Sequence, residues 1–407
     1  MTARAWGWVR HLRAGGTTPW AQWPEGPEGD AEPAGRVIPG AQQLELLRRL
    51  NQVGAPGPEL ATRVLEASAP GRGRPDLELV GAAHDSRFGA RPVDPGDLSE
   101  DELVRVATLL LAEDLVALGP VPRRPDAVPR PWRRRYRLVG DPLLSDPVRR
   151  ELIARGHGPR PGGVIVVLGT DLPTMLADFW TARCFAFGQG SLGLGAQGLG
   201  AHGVPSWPEW LESWRARQGV PTRIDLPGVA RTWVQRRGSR QHVHVLTDPG
   251  QRPDVRELLG VRRLPAPVRP SAEAAELARR LSMALGLMVT PARRELLLTE
   301  GLMPRLPSTE LSALSGPAGS SSATGSAAPP VVPDEHRDWV RQRGERMSRR
   351  LVRAGYAELP IGPGLEDGSS EADPSGGSGG SGDVLSLAMR MLLGDWKGPL
   401  EGKPVKW

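Results

Sequence analysis

Cysteine is almost missing from this 407-residue chain: Cys184 stands alone. That excludes an internal disulfide framework and any cysteine-rich zinc site. Lysine is nearly as scarce, since of 52 basic residues only Lys397, Lys403 and Lys406 are lysines. The arginine bias, with abundant Ala, Gly and Pro, points to a GC-rich coding sequence. No run of about 18 apolar residues occurs, so no membrane-spanning helix is expected. The opening MTARAWGWVRHLRAGG has no apolar stretch of the kind a secretory signal needs, and a cytoplasmic location is expected. A net charge of +6 is modest for this length, and nucleic-acid binding usually needs a concentrated basic stripe. The densest basic stretch, Arg123–Arg137, carries Trp132 and Tyr136 and reads as a proline-stiffened linker, so nucleic acid is not an expected partner.

What is present is a succession of helices followed by alternating strands and helices. AQQLELLRRLNQV (41–53) spaces leucines along one helical face, and Glu59–Ala67 restarts the helix after a Gly/Pro break. Ser99 and Glu102 have capping-box spacing ahead of ELVRVATLLLAEDLVAL. DLELVGA (Asp76–Ala82) reads as a short strand between these helices. In the middle third, YRLVG (Tyr136–Gly140), GVIVVLG (Gly163–Gly169) and HVHVLTD (His242–Asp248) read as strands. The second is a continuous β-branched run, as in a strand covered on both faces. The helices between them are SDPVRRELIARG, capped by Ser145 or Asp146 with Pro147 in its first turn, then DLPTMLADFWTARCF, WPEWLESWRAR and DLPGVARTWVQRRG. This alternation predicts an α/β fold, a mainly parallel sheet flanked by helices with right-handed crossovers.

Composition divides the chain into a helix-rich region (1–130), an α/β core (131–306), a Ser/Ala/Gly/Pro-rich linker expected to be disordered (307–331), and a long amphipathic helix completing the core (332–361). A second Gly/Ser-rich linker (362–383) and a C-terminal helix and tail (384–407) follow. The apolar side of VLSLAMRMLL (Val384–Leu393) must dock somewhere, on this chain or on a protein partner.

Candidate sites are few. Three glycine-rich stretches, Ala14–Thr18, Pro70–Pro75 and Gly188–Gly203, lack the strand-before, helix-after context of a phosphate loop. His242 and His244 with Asp248 offer too few ligands for a metal site, and none is expected. Cys184 reads as a buried inert thiol, and Trp207, Trp210 and Trp214 as a core stripe on one helical face. What remains is the rim beyond the carboxyl ends of the strands, where open parallel sheets gather ligands. There Gly140-Asp141, Gly169-Thr170-Asp171 and Thr247-Asp248 converge, each Asp being either a ligand-facing group or the cap of the next helix.

The succession YRLVGDPLLS, VIVVLGTDLPTMLADFW, a Trp-rich helix and HVHVLTDP resembles bacterial sulfotransferase-like proteins of high-GC organisms, and PDEHRDWVRQRGERMSRRLVRAGY resembles their C-terminal helix. The resemblance covers Tyr136–Tyr356. It implies a P-loop-like α/β fold and sulfuryl transfer from the nucleotide donor PAPS. It places Asp141 where the family has a carboxylate base, and Thr170, Asp171 and Thr174 at the donor's 3′-phosphate. The family's N-terminal donor loop is absent, and Thr170-Asp171 stands where the family reads Arg-Asp. The resemblance therefore implies a divergent protein, non-catalytic or of altered specificity, in cell-surface glycan synthesis, with a glycan or nucleotide-linked ligand. One rival is an active transferase with Asp141 as base and Arg72, Arg74 or Arg183 supplying charge. Another is a helical adaptor that binds a partner through its C-terminal helix.

Overall fold

The computed structural model describes residues 2–24, 38–67, 76–81, 92–120, 136–157, 163–185, 203–247, 252–259, 269–306, 328–360, 362, 380–394 and 396. It is mostly helical with a small parallel sheet, and divides into two compact units. The first comprises Met1–Pro120, Glu276–Leu297 and Gly379–Glu401; the second comprises Val121–Ala275, Leu298–Ser378 and Gly402–Trp407. Most of each expected linker, 307–331 and 362–383, lies outside the described residues.

The first unit is helical. It contains α1 (Thr2–Arg13), α2 (Ala41–Val53), α3 (Pro58–Glu66) and α4 (Glu100–Leu118). Ser99 occupies the cap position of α4 but makes no side-chain cap bond, and Glu102 instead pairs with Arg105 at 2.6 Å. The expected strand 76–82 is not formed: Leu79 makes a single parallel bridge to Val93. A strand needs a continuous ladder as well as β-branched residues, and among the described residues the pairing ends at this one bridge. The C-terminal helix Ser381–Leu393 buries Val384, Leu385, Ala388, Met391 and Leu392 and packs on α4. Its apolar side is thus covered by this chain, which removes the feature that favoured an adaptor.

The second unit holds the sheet. Strands β1 (Tyr136–Gly140), β2 (Val164–Leu168) and β3 (Val243–Leu246) lie in the order β1-β2-β3, all parallel. The register sets Gly140 beside Leu168 and Leu168 beside Leu246, so three carboxyl ends finish level. After β1 comes α5 (Pro142–Ala154), and after β2 comes α6 (Leu172–Phe185). Then follow α7 (Trp207–Ala216), α8 (Leu226–Arg237), α9 (Arg252–Leu259), the start of α10 (Ala272–Leu285, whose residues from Glu276 on belong to the first unit) and, after the first unit's α11 (Pro291–Leu296), α12 (Asp334–Arg353). The first unit's Ser381–Leu393 is α13.

Both faces of the sheet are covered, as the β-branched run of β2 predicts. Tyr136, Leu138, Val166 and Leu168 pack with Val148 and Leu152 of α5 and Leu259 of α9. Residues one position out of phase point the other way, where Arg137 lies over the Trp233 ring of α8 at 4.7 Å. The expected tryptophan stripe is core at two of its three positions: Trp207 and Trp210 are buried and stack at 5.6 Å, while Trp214 is only partly buried.

Two local expectations are corrected. β3 begins at Val243, and His242 belongs to a 3-10 turn, so the two histidines do not share a strand face. The first crossover helix begins at Pro142, not at Ser145 or Asp146, because Asp141 caps it and Pro142 takes the first helical position. Pro147 then falls inside the helix. No described helix is long and apolar enough to cross a membrane.

Candidate functional site

The level strand ends bring Asp141, Thr170, Asp171 and Thr247 to one rim, and all four are buried. Asp141 is inaccessible (0% exposed). Its Oδ1 accepts the Leu143 and Leu144 N–H groups at 2.9 and 3.2 Å, closing the open end of α5. Its carbonyl accepts from the Ser145 amide and hydroxyl at 2.9 and 2.7 Å. Arg223 braces this turn, donating to the Gly140 carbonyl (2.8 Å), the Ser145 hydroxyl (2.8 Å) and Asp146 (2.6 Å).

Asp171 plays the same part for α6. Its Oδ1 accepts the Thr174 amide at 2.8 Å and its Oδ2 the Thr170 hydroxyl at 3.1 Å. The side chains of Thr170 and Asp171 thus engage each other, while Thr174 contributes its backbone.

A group that the sequence did not single out completes the rim. Asp178, buried inside α6, receives Arg269 Nε on both oxygens at 2.9 Å, with Nη2 at 2.8 Å from Oδ2. Burial pushes the Asp141 carboxyl well above the ordinary carboxylate range, the Asp178 charge adds to this, and Arg269 opposes it. Burial also raises Asp178, against the hydrogen bonds from Arg269. Crowding of buried carboxylates around one guanidinium favours the protonated form of Asp141. Asp178 makes the direct pair with Arg269, and Asp141 does not. An Asp at position 178, within the apolar ADFW run of α6, was the available sequence signal. Its partner lies 91 residues away and left no local trace.

The chain itself covers this rim. The Thr247 hydroxyl donates to the Glu358 carbonyl at 2.9 Å, and the Leu359 amide to the Ser348 hydroxyl at 3.1 Å. Gly362 lies against Asp171 so closely that a Cβ there would collide with Oδ1 and meet Pro173 Cγ at 2.9 Å. A cavity of about 430 Å³ exists in this unit, but it lies between α8 and α12, and none of Asp141, Thr170, Asp171 or Asp178 lines it.

Comparison with protein-family models, curated proteins and solved structures returns no match. The site therefore stands on its own geometry.

The other sequence candidates fall apart in space or outside the described residues. Around Ala14–Thr18 the loop is bound by its own neighbours. Asn51 donates to the Leu12 and Gly16 carbonyls (2.8 and 2.7 Å) and Trp8 to the Thr18 carbonyl (2.9 Å). Pro70–Pro75 with Arg72 and Arg74, almost all of Gly188–Gly203, Asp248 and the basic stretch before Tyr136 lie outside the described residues. Arg183 makes no hydrogen bond or ion pair with Asp141, Thr170 or Asp171. No group of three metal-capable side chains occurs among the described residues, and Cys184 is buried.

The upward shift of Asp141 has a measurable consequence. A carboxyl whose folded-state pKa is raised contributes fully to stability below its unfolded value near ~3.9 and loses that contribution as pH climbs through the folded value. Asp141→Asn keeps a neutral cap acceptor without the titrating proton. Its stability relative to the parent is expected to rise between pH 5 and pH 8, read from urea midpoints followed by amide exchange in β1 and β2. A difference that stays flat from pH 5 to pH 8 places an ionised carboxylate, not an acid, at position 141.

Proposed function

We propose that the second unit is a non-catalytic binding module, a divergent sulfotransferase-like α/β domain whose strand-end rim has become a structural cap network. One observation carries this reading. The only nominated base, Asp141, is inaccessible and engaged in capping α5. A general base must reach the proton it removes, directly or through one water, and Asp141 meets protein on every side.

The donor PAPS does not fit these residues. Its 3′-phosphate would meet Asp171, a carboxylate in contact with Thr170 and roofed by Gly362, with no guanidinium fork in place of the repulsion. The sulfotransferase-like kinship and a place in cell-surface glycan assembly rest on the strand–helix succession from Tyr136 to Leu246. The parallel order of β1, β2 and β3 is compatible with that kinship.

The test is turnover. The full chain, incubated with PAPS and a panel of glycan acceptors, is expected to release no desulfated nucleotide above the level of Asp141→Asn. PAPS-dependent release that disappears in Asp141→Asn would restore the active transferase.

A further inference from the structure

The cavity between α8 and α12 is lined by Arg231 and Val234 of α8, Arg240 of the turn before β3, Arg350 and Arg353 of α12, and Tyr356 just beyond it. Four guanidinium groups converge on about 430 Å³, a volume in the usual range for a small-molecule pocket of ~300–1,000 Å³. We propose that this groove binds a small organic polyphosphate, of the nucleoside triphosphate class.

The charges are not explained by the fold's own needs. Arg350 pairs with Asp225 at 3.3 Å, and Arg240 donates to the Gly355 carbonyl. Arg231 and Arg353 have no acceptor among the described residues. Arg353 in the last turn of α12 interacts favourably with that helix's dipole, but Arg231 sits in the middle of α8, where no such benefit exists. Neither helix offers much counter-charge: α8 has no acidic residue, and after Asp338 the only one in α12 is Glu345. The surplus is felt by a neighbour. Burial lowers the Arg343 pKa, and the positive charges of Arg346 and Arg350 lower it further against the pull of Asp225. Like charges held together without partners raise the local concentration of anions and are relieved when one binds.

A second observation points to a ligand. Tyr356 lines the cavity with its ring under the Arg240 guanidinium at 4.7 Å, and its hydroxyl is buried with no hydrogen-bond partner. A phosphate oxygen would accept from the free forks of Arg231 and Arg353, for which guanidinium geometry is suited, and a rotation of Tyr356 would bring its unpartnered hydroxyl to the same oxygen. Val234 and Pro227 supply the apolar wall that a base or sugar requires. The groove is independent of the strand-end rim, and its occupancy does not depend on whether Asp141 is catalytic.

Calorimetry of the full chain with ATP, inorganic pyrophosphate and AMP tests the assignment. ATP and pyrophosphate are expected to bind, more weakly as salt is added, with AMP at least about tenfold weaker because it engages fewer guanidinium groups. The double variant Arg231→Ala/Arg353→Ala removes two exposed side chains that make no hydrogen bond or ion pair among the described residues. It should keep the parent's circular dichroism while losing about tenfold or more in ATP affinity. Tyr356→Phe should show a smaller loss. Absence of heat from ATP and pyrophosphate at millimolar ligand overturns the proposal, as does undiminished binding by the double variant or AMP binding as tightly as ATP. A single-stranded oligonucleotide that binds far more tightly than ATP overturns it in favour of a nucleic-acid surface.

Discussion

Gly140→Ala is expected to unfold the second unit under conditions where the parent chain is stable. Gly140 ends β1 with φ +101°, a backbone angle that side chains rarely adopt. A Cβ there would run into the Leu168 carbonyl oxygen of the neighbouring strand and lie 2.9 Å from its amide nitrogen. Those atoms belong to a sheet backbone held by the β1–β2 register and by the Asp141 amide bonding to Leu168 O at 2.8 Å. They have nowhere to move. Strain and overpacking together put the loss at about 4 kcal/mol or more, the diagnostic end of single-substitution effects. Gly238→Ala is the control, since Gly238 also has positive φ (+65°) but open space around it. It should cost only about 1–2 kcal/mol. Amide exchange in β1 and β2 against urea reads both, and a Gly140→Ala sheet as protected as that of Gly238→Ala would contradict the close approach.

Asp178→Asn carries the second-largest effect. The amide keeps the shape of Asp178 but withdraws the anion from Arg269, whose side chain is 25% exposed while that of Asp178 is 2% exposed. Breaking a fully buried pair costs roughly 3–5 kcal/mol, and partial solvent access at Arg269 lowers this to about 2–4 kcal/mol. Most of the loss is the reduced compensation of the Arg269 charge, not the value of the bond. The double change Asp178→Leu/Arg269→Met should therefore be less damaging than Asp178→Asn alone. A double variant worse than the single one would show instead that the pair itself stabilises the rim.

Asp141 and Asp171 show how far local reading carries. Both follow strands whose ends were legible, and β2 was marked as a two-faced strand by its unbroken β-branched run. The position of Asp141 at the rim was therefore foreseeable, and capping was one of the two tasks the sequence left open for it; the structure selects it. Placing the helix start at Ser145 or Asp146 made Asp141 look free for chemistry. Pro142, immediately after an Asp, was the local sign of an earlier start. DLELVGA failed for the opposite reason, because a strand-like composition met no ladder.

The covered rim and the charged groove lay beyond such reading. Arg223 reaches Gly140 across 83 residues, Arg269 reaches Asp178 across 91, and Thr247 reaches Glu358 across 111. Hydrophobic period, caps and breakers act within a few residues, and they were enough to specify the strands, most helices and the parallel alternation. Which carboxylate meets a guanidinium, which is buried without one, and where arginines from α8 and α12 converge depend on sheet order and helix packing. Those contacts join segments that carry no mark of each other until the chain has folded.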